Sequence, residues 1–326
     1  MGDWMKIVGG IDGGATKTEC VLMDIQGNIL GRGLAGPSNY HVVGINNTIK
    51  AIRKSIIESL KNIGERKIDY LTIGLAGLDT KRDFKYIERS FQNFDLANRL
   101  DFKHDSIIAL IGAHAGKPGI IVIAGTGSVA AGINRDKKYV RVGGWGYLLG
   151  DEGSAFTLGR RGLMAVLREY DGRGASTKIT RRIFDKLGID DYEDIIIKIY
   201  GAERIVEKVA SLAPCVTDAA KEGDSIAINI IYEEMEKVGE LIYTVAKRLD
   251  MLDEDISVAM IGGVFRAGEV VIGSLRKVLN RYELKFKLIE PLFPPSIGAA
   301  IWSLQSIGVK VNDIINNIEN SLEMLD

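Results

Sequence analysis

The densest chemical signal lies near the N-terminus, in Gly9-Gly10-Ile11-Asp12-Gly13-Gly14-Ala15-Thr16-Lys17-Thr18. Backbone N–H groups can close on a phosphate only where no side chain intervenes, and clustered glycines leave that room. An ordinary tight hairpin needs one or two glycines, whereas this run has four. Asp12 ends a strand that reads as buried, where a carboxylate is costly without a partner such as hydrated Mg²⁺. A Walker A loop is excluded, because Thr16 rather than Gly precedes Lys17 and a strand rather than a helix follows. The run from Gly13 and Gly14 to Lys17 therefore reads as a phosphate turn, with Asp12 as its metal contact.

A second glycine turn, Gly125-Thr126-Gly127-Ser128, follows an apolar strand and superficially fits dinucleotide spacing. That fold also needs a helix directly after the turn. Gly132 and Asn134-Arg135-Asp136 indicate a hairpin instead, so NAD is rejected. The hydroxyls of Thr126 and Ser128 favour a second phosphate turn over a structural one. Asp105 falls at a strand-to-helix junction, Phe102-Lys103-His104-Asp105-Ser106. Aspartate is a preferred helix cap, yet open α/β sheets place ligands at the C-terminal ends of strands. Both roles stay open from the residue alone. The stretch Gly143 to Ser154 has five glycines, Trp145 and Tyr147, and the pair Asp151-Glu152. An aromatic body for stacking, a carboxylate for hydroxyls and bare backbone suit a sugar. A helix cap would account for one carboxylate but not for the glycines or Trp145. Gly262-Gly263, after another strand, leaves room for a flat adenine or ribose, or makes a simple strand-to-helix turn.

These residues must be held by strands, and the pattern supplies them twice. Ile7–Ile11, Thr18–Asp24 and Ile29–Leu34 read as strands, with Gln26-Gly27-Asn28 as a hairpin turn. A helix follows at Asn46–Lys61 by its apolar spacing, then a strand at Tyr70–Ala76, a helix at Thr80–Phe91, a strand at Arg99–Lys103 and a helix at Ser106–His114. After the breaker cluster Gly116 to Gly119, strand, glycine turn, strand, turn and strand recur at Ile120–Ala124, Val129–Ile133 and Tyr139–Val142. A long helical stretch from Ser154 to Asp250 interrupts the second copy. Ile256–Gly262, Ala267–Asn280 and Leu284–Glu290 then read as strand, helix and strand, and a helical region follows Pro294-Pro295. The expected fold is α/β: two related lobes, each a mixed sheet with flanking helices, facing each other across a cleft. The expected lobes are 1–116, joined by a C-terminal helix in 302–326, and 117–301 with the helical insertion.

Bulk properties narrow the classes. The 326 residues suit two domains, and 46% hydrophobic residues can fill both cores. A net charge of −1 supplies no basic field for nucleic acid or an anionic membrane. Cys20 and Cys215 are too few for a disulfide framework, and His41, His104 and His114 share no metal-ligand spacing. Apolar runs such as Gly119 to Ala124 are far shorter than a membrane span, and the reading is a cytoplasmic protein. A homodimer is the expected assembly.

Taken together, these segments resemble the sugar kinase, actin and Hsp70 ATPase superfamily, whose lobes are duplicated ribonuclease H-like units. Within it they look like the N-acetylglucosamine kinase and BadF/BadG/BcrA/BcrD ATPase branch, close to archaeal broad-specificity hexokinases. The resemblance runs from the first turn to Pro295-Ser296-Ile297-Gly298-Ala299-Ala300, and Gly143 to Ser154 is its most specific part. It implies ATP as phosphoryl donor with Mg²⁺, and a small sugar as acceptor. Asp12 matches the acidic residue that helps hold Mg²⁺, and Thr16 a phosphate contact. Asp105 matches the catalytic aspartate, Thr126 a second-turn nucleotide contact, and Gly263 lies in the adenosine segment. Asn39 matches a sugar-binding asparagine, and Ser128, Val129, Gly144, Trp145, Gly146 and Asp151 the other sugar contacts. One position departs: many relatives carry Asn before the catalytic Asp, where this chain has His104. Two rivals share the lobe plan. An activator of a radical dehydratase needs paired cysteines for an iron–sulfur cluster, which this sequence lacks. A sugar-sensing repressor would carry a helix-turn-helix before the first turn.

Overall fold

The computed structural model describes residues 6–64 and 66–323; Met1 to Met5, expected to lead into the first strand, lie outside them. The chain forms two compact units, one running to Lys117 and resuming at Pro291, the other from Pro118 to Glu290.

In the first unit β1 (Ile7–Gly13), β2 (Thr18–Asp24), β3 (Ile29–Ala35), β4 (Tyr70–Leu75) and β5 (Leu100–His104) form a sheet in the order β3-β2-β1-β4-β5. β1, β2 and β3 are an antiparallel meander, and β4 and β5 lie parallel to β1. The central strand is covered on both faces, so Ile7, Val8 and Ile11 are all fully buried; a two-sided core selects a continuous apolar run over alternation. Helices α1 (Tyr40–Val43), α2 (Ile45–Leu60), α3 (Lys81–Ser90) and α4 (Asp105–His114) fill the connections. Four-residue α1 has too little periodicity to be read from sequence. α2 has the expected spacing and buries Ile52, Ile56 and Leu60.

The second unit repeats the plan. β6 (Gly119–Ala124), β7 (Ser128–Ile133), β8 (Tyr139–Gly143), β9 (Ile256–Ile261) and β10 (Phe286–Ile289) are ordered β10-β9-β6-β7-β8. Again the first three are antiparallel and the last two join in parallel. Between β8 and β9 the expected helical stretch resolves into α5 (Ala155–Tyr170), α6 (Ile179–Leu187), α7 (Asp194–Tyr200), α8 (Ile205–Ala210), α9 (Ala213–Lys221) and α10 (Ser225–Arg248), and α11 (Glu269–Arg281) precedes β10.

The expected lobe boundary after residue 301 is corrected, because it would cut through α12 (Pro295–Ser306), which belongs whole to the first unit. A Cβ on Gly10 of β1 would lie 2.1 Å from the Ala300 backbone, and one on Gly298 2.0 Å from the Ile108 carbonyl. Glycine at both contacts lets α12 seat directly on β1 and α4. Ile297, Ile301 and Leu304 are then buried beside Val8 and Ile111, each worth about 1.5–3 kcal/mol relative to exposure. The last helix, α13 (Ile315–Glu323), also returns to this unit: Ile314 and Ile318 pack against Gly27, and Asn317 donates to the Gln26 carbonyl.

Candidate functional site

In the first unit the predicted residues gather at one end of the sheet. Gly14 N–H donates to the Lys17 carbonyl at 3.0 Å and closes the turn between β1 and β2. This leaves Ala15, Thr16 and Lys17 exposed at the tip. The Gly14 carbonyl accepts from Ser38 N–H at 3.0 Å and Asn39 N–H at 3.2 Å, so the turn also fixes the segment that carries Asn39. Asn39 caps α1, its Oδ1 accepting from His41 N–H at 3.1 Å. Gly13 is required for this approach, since a Cβ there would lie 2.5 Å from Ser38 Oγ.

Electrostatics marks the same place. Asp12 is pushed up to about 6, first by burial, then by the nearby carboxylates of Asp105 and Glu19, with Lys17 opposing. Glu19 is 4% exposed and accepts from Lys17 Nζ at 3.0 Å and Arg32 Nε at 2.6 Å. Lys17, expected at the nucleotide, is exposed at the turn with its ammonium paired to Glu19. Asp105 does not cap α4. That role falls to His104, whose ring accepts from Ser106 N–H, and Asp105 is the first helical residue. The carboxylate that the sequence left between capping and chemistry is free of the cap.

In the second unit the turn Gly125–Ser128 closes by Gly125 N–H to the Gly127 carbonyl at 2.9 Å. Its Gly125 carbonyl accepts from Ala155 N–H at 2.8 Å, so the turn is held on the start of α5. Thr126 is exposed at the tip. Asp151 comes to the same turn: its Oδ1 accepts from Ser128 N–H at 3.2 Å. A Cβ on Gly127 would lie 2.6 Å from Asp151 Oδ2. Asp151 is 8% exposed, and burial raises its carboxyl above the ordinary range. It has a left-handed φ of 60°, costly for a non-glycine residue and retained only where the surroundings enforce it. Ser154, not Asp151 or Glu152, caps α5 by accepting from Thr157 N–H. Gly144 packs on Val129, while Trp145, 71% exposed, lies on the adjoining loop with Gly146.

Gly262 adopts φ 112°, and a Cβ there would lie 2.3 Å from the Ala124 carbonyl. This brings the Gly262-Gly263 segment beside the second turn. Gly263, with no neighbour within 4 Å of its Cβ position, borders a cavity of about 410 Å³ with Leu158, Ala213, Pro214, Thr217 and Arg266. Sequence reasoning missed the α9 wall of this cavity, because Ala213 and Thr217 read as ordinary helix. It also missed Glu19, whose signal was a charged residue directly before the apolar run Cys20 to Met23 of a strand.

Among the described residues no cluster of three or more His, Cys, Asp or Glu could hold a metal unaided. A single largely buried carboxylate with two acidic neighbours fits a cation that keeps water and phosphate ligands, as Mg²⁺ does. Also among the described residues, no helix is long and apolar enough to cross a membrane. Cys20 and Cys215 are both buried thiols.

Comparison with known proteins agrees with the geometry. The chain is 31% identical to an N-acetylmuramic acid/N-acetylglucosamine kinase of Clostridium acetobutylicum, over 91% of this chain and 98% of the relative. It is 31% identical to the N-acetyl-D-glucosamine kinase of Dictyostelium discoideum, over 91% and 97%. A solved candidate N-acetylglucosamine kinase of Chromobacterium violaceum superposes with a TM-score of 0.72 at 28% identity, covering 92% of this chain and 99% of that one. A Streptomyces griseus ROK family glucokinase, at 16% identity and TM-score 0.53, shares the fold. Residues 10–303 match a single family from the first glycine turn to the helix that seats on β1, and the chain belongs to the BadF/BadG/BcrA/BcrD ATPase family.

Proposed function

We propose that the chain is an ATP-dependent sugar kinase that transfers the γ-phosphoryl group to the 6-hydroxyl of a hexose or N-acetylhexosamine. The observation that carries this reading is Asp105: a carboxylate at the C-terminal end of a parallel strand, released from capping, close enough to raise Asp12. The two relatives named as kinases of N-acetylated sugars support it.

Asp105 accepts the proton of the acceptor hydroxyl as its oxygen attacks phosphorus in line. The two turns, shaped by Gly13, Gly14, Gly125 and Gly127, bring Thr16, Lys17 and Thr126 to the phosphates and stabilise the charge there. Asp12 holds the Mg²⁺ that arrives with ATP and neutralises part of that charge. The cavity bordered by Gly263, beside Gly262, takes the adenosine. Asn39, Ser128, Val129, Gly144, Trp145, Gly146 and Asp151 hold the sugar: Asp151 through hydroxyls, Trp145 by stacking on a ring face. N-acetylglucosamine kinase and broad-specificity hexokinase are the two forms of this reading. The protein works in the cytoplasm, where ATP is supplied, and as a homodimer.

Measuring kcat/KM for N-acetylglucosamine, glucose, glucosamine and mannose tests it. A preference of tenfold or more for the acetylated sugar identifies the first form, and comparable values the second. If none of the four accelerates ADP release, the kinase reading fails.

A further inference from the structure

Asp105 has a titratable neighbour in an unusual setting. Nδ1 of His104 lies 2.8 Å from Asp105 Oδ1, 2.7 Å from Ser106 Oγ and 3.1 Å from Ser106 N. Nε2 lies 3.2 Å from Asp79 Oδ1. A backbone N–H can only donate, so in the capped arrangement Nδ1 presents its lone pair and the ring proton sits on Nε2, toward Asp79. A lone pair 2.8 Å from a carboxylate oxygen is a repulsive contact until a proton lies between the two atoms. The proton that Asp105 removes from a hydroxyl is such a proton.

We propose that His104 is the positioning and proton-sharing partner of Asp105, completing an Asp79–His104–Asp105 relay; this rests on the reading of Asp105 as the base. The hydroxyl O–H bond breaks and its proton passes to the Asp105 carboxylate. The freed oxygen bonds to the γ-phosphorus, and the bond from that phosphorus to the departing ADP oxygen breaks. The proton then settles between Asp105 Oδ1 and His104 Nδ1, and the positive charge gained by the ring is balanced by Asp79 and Asp105. Asp79, 49% exposed at its side chain, opens the relay to solvent.

The charged groups that border the ring are mostly carboxylates. Asp79 faces it from the loop before α3 and Asp105 from α4, and Asp12 of β1 is near enough to Asp105 for their charges to interact. Lys103, its neighbour on β5, is turned to Asp101 at 2.9 Å and lies over Trp302. His41 of α1 is bonded to the Gly77 carbonyl at 3.2 Å.

His104→Asn separates the two roles of the residue, because asparagine caps a helix well but carries no titrating proton. The pH profile of kcat/KM for the sugar is recorded at saturating Mg-ATP, which keeps Asp12 in its charged form. The expected result for His104→Asn is a melting temperature like that of the parent protein and an unchanged sugar KM. Its kcat falls about tenfold, less than for a lost base. The acid limb of its profile moves down by about one pH unit or more, toward the carboxylate range. Asp79→Asn at the exposed end shifts the limb the same way by less, and adds nothing to His104→Asn. A His104→Asn profile that superimposes on the parent, with kcat within twofold, overturns the relay and leaves His104 as a cap only. Normal turnover in Asp105→Asn overturns instead the base assignment on which the relay rests.

Discussion

The two glycine turns share a backbone plan and differ in charge. Each joins the first two antiparallel strands of a five-stranded sheet with the same strand order. The first has Asp12, Lys17 and Glu19 within and beneath it and Asp105 close by. The second has the hydroxyls of Thr126 and Ser128 and one carboxylate, Asp151, and is held on the start of α5. Duplication thus supplies two glycine turns, while most of the ionisable side chains are concentrated on one. The second unit instead supplies room: the exposed Trp145 loop, the strained Asp151 and the cavity beside Gly263.

The largest effect that would sharpen this contrast is Asp105→Asn. Turnover should fall ~10²–10⁴-fold with sugar affinity retained, the usual range for a lost general base; steady-state kinetics with a sugar-binding isotherm reads both.

Next come the two turns' own weak points. Ionisation of Asp12 opposes folding, because its folded value is raised to about 6. The folded state therefore favours the proton more than the unfolded chain does. Asp12→Asn removes that cost, so the metal-free protein should melt higher by up to about 3 kcal/mol of stability. The gain is full above about pH 6 and fades as pH falls from there through the ordinary carboxylate range. Thermal melts across that window check the sign; a gain that grows on acidification would contradict it. In the second unit, Gly262→Ala should cost about 1–3 kcal/mol, because its φ of 112° and the 2.3 Å approach to Ala124 leave no place for a Cβ. Gly263→Ala, with open space at its Cβ position, should leave the melting temperature unchanged.

Smaller effects follow on the binding side. Trp145→Ala should raise sugar KM roughly tenfold, about 1.4 kcal/mol for a lost stacking face, with little change in ATP KM. Thr126→Ala removes one hydrogen bond to phosphate and should raise ATP KM by about fivefold, near 1 kcal/mol. A larger effect on the sugar than on ATP for Thr126→Ala would break the division of labour between turn and loop.

The strands, the repeat and the turns were legible because clustered glycines and apolar runs are local signals. What escaped the sequence depended on which of two adjacent side chains takes a role, or on partners far along the chain. Asp105 could not be separated from a helix cap until His104 was seen to occupy that role. Asp151 or Glu152 read equally as the cap of α5, and only the bond of Ser154 to Thr157 N–H, with Asp151 turned to Ser128, decided against both. The boundary at residue 301 failed because α12 seats on β1 at Gly10 and on α4 at Gly298, close approaches that neither glycine signals alone.

The central claim is that one unit carries the base for phosphoryl transfer to a sugar hydroxyl. The direct test is ADP release with and without N-acetylglucosamine or glucose, in the parent protein and in Asp105→Asn, with the product's phosphate located by ³¹P NMR. The account predicts sugar-stimulated release, phosphate on the 6-hydroxyl, and loss of that stimulation in Asp105→Asn. ATP hydrolysis indifferent to every sugar, or undiminished transfer by Asp105→Asn, would contradict it.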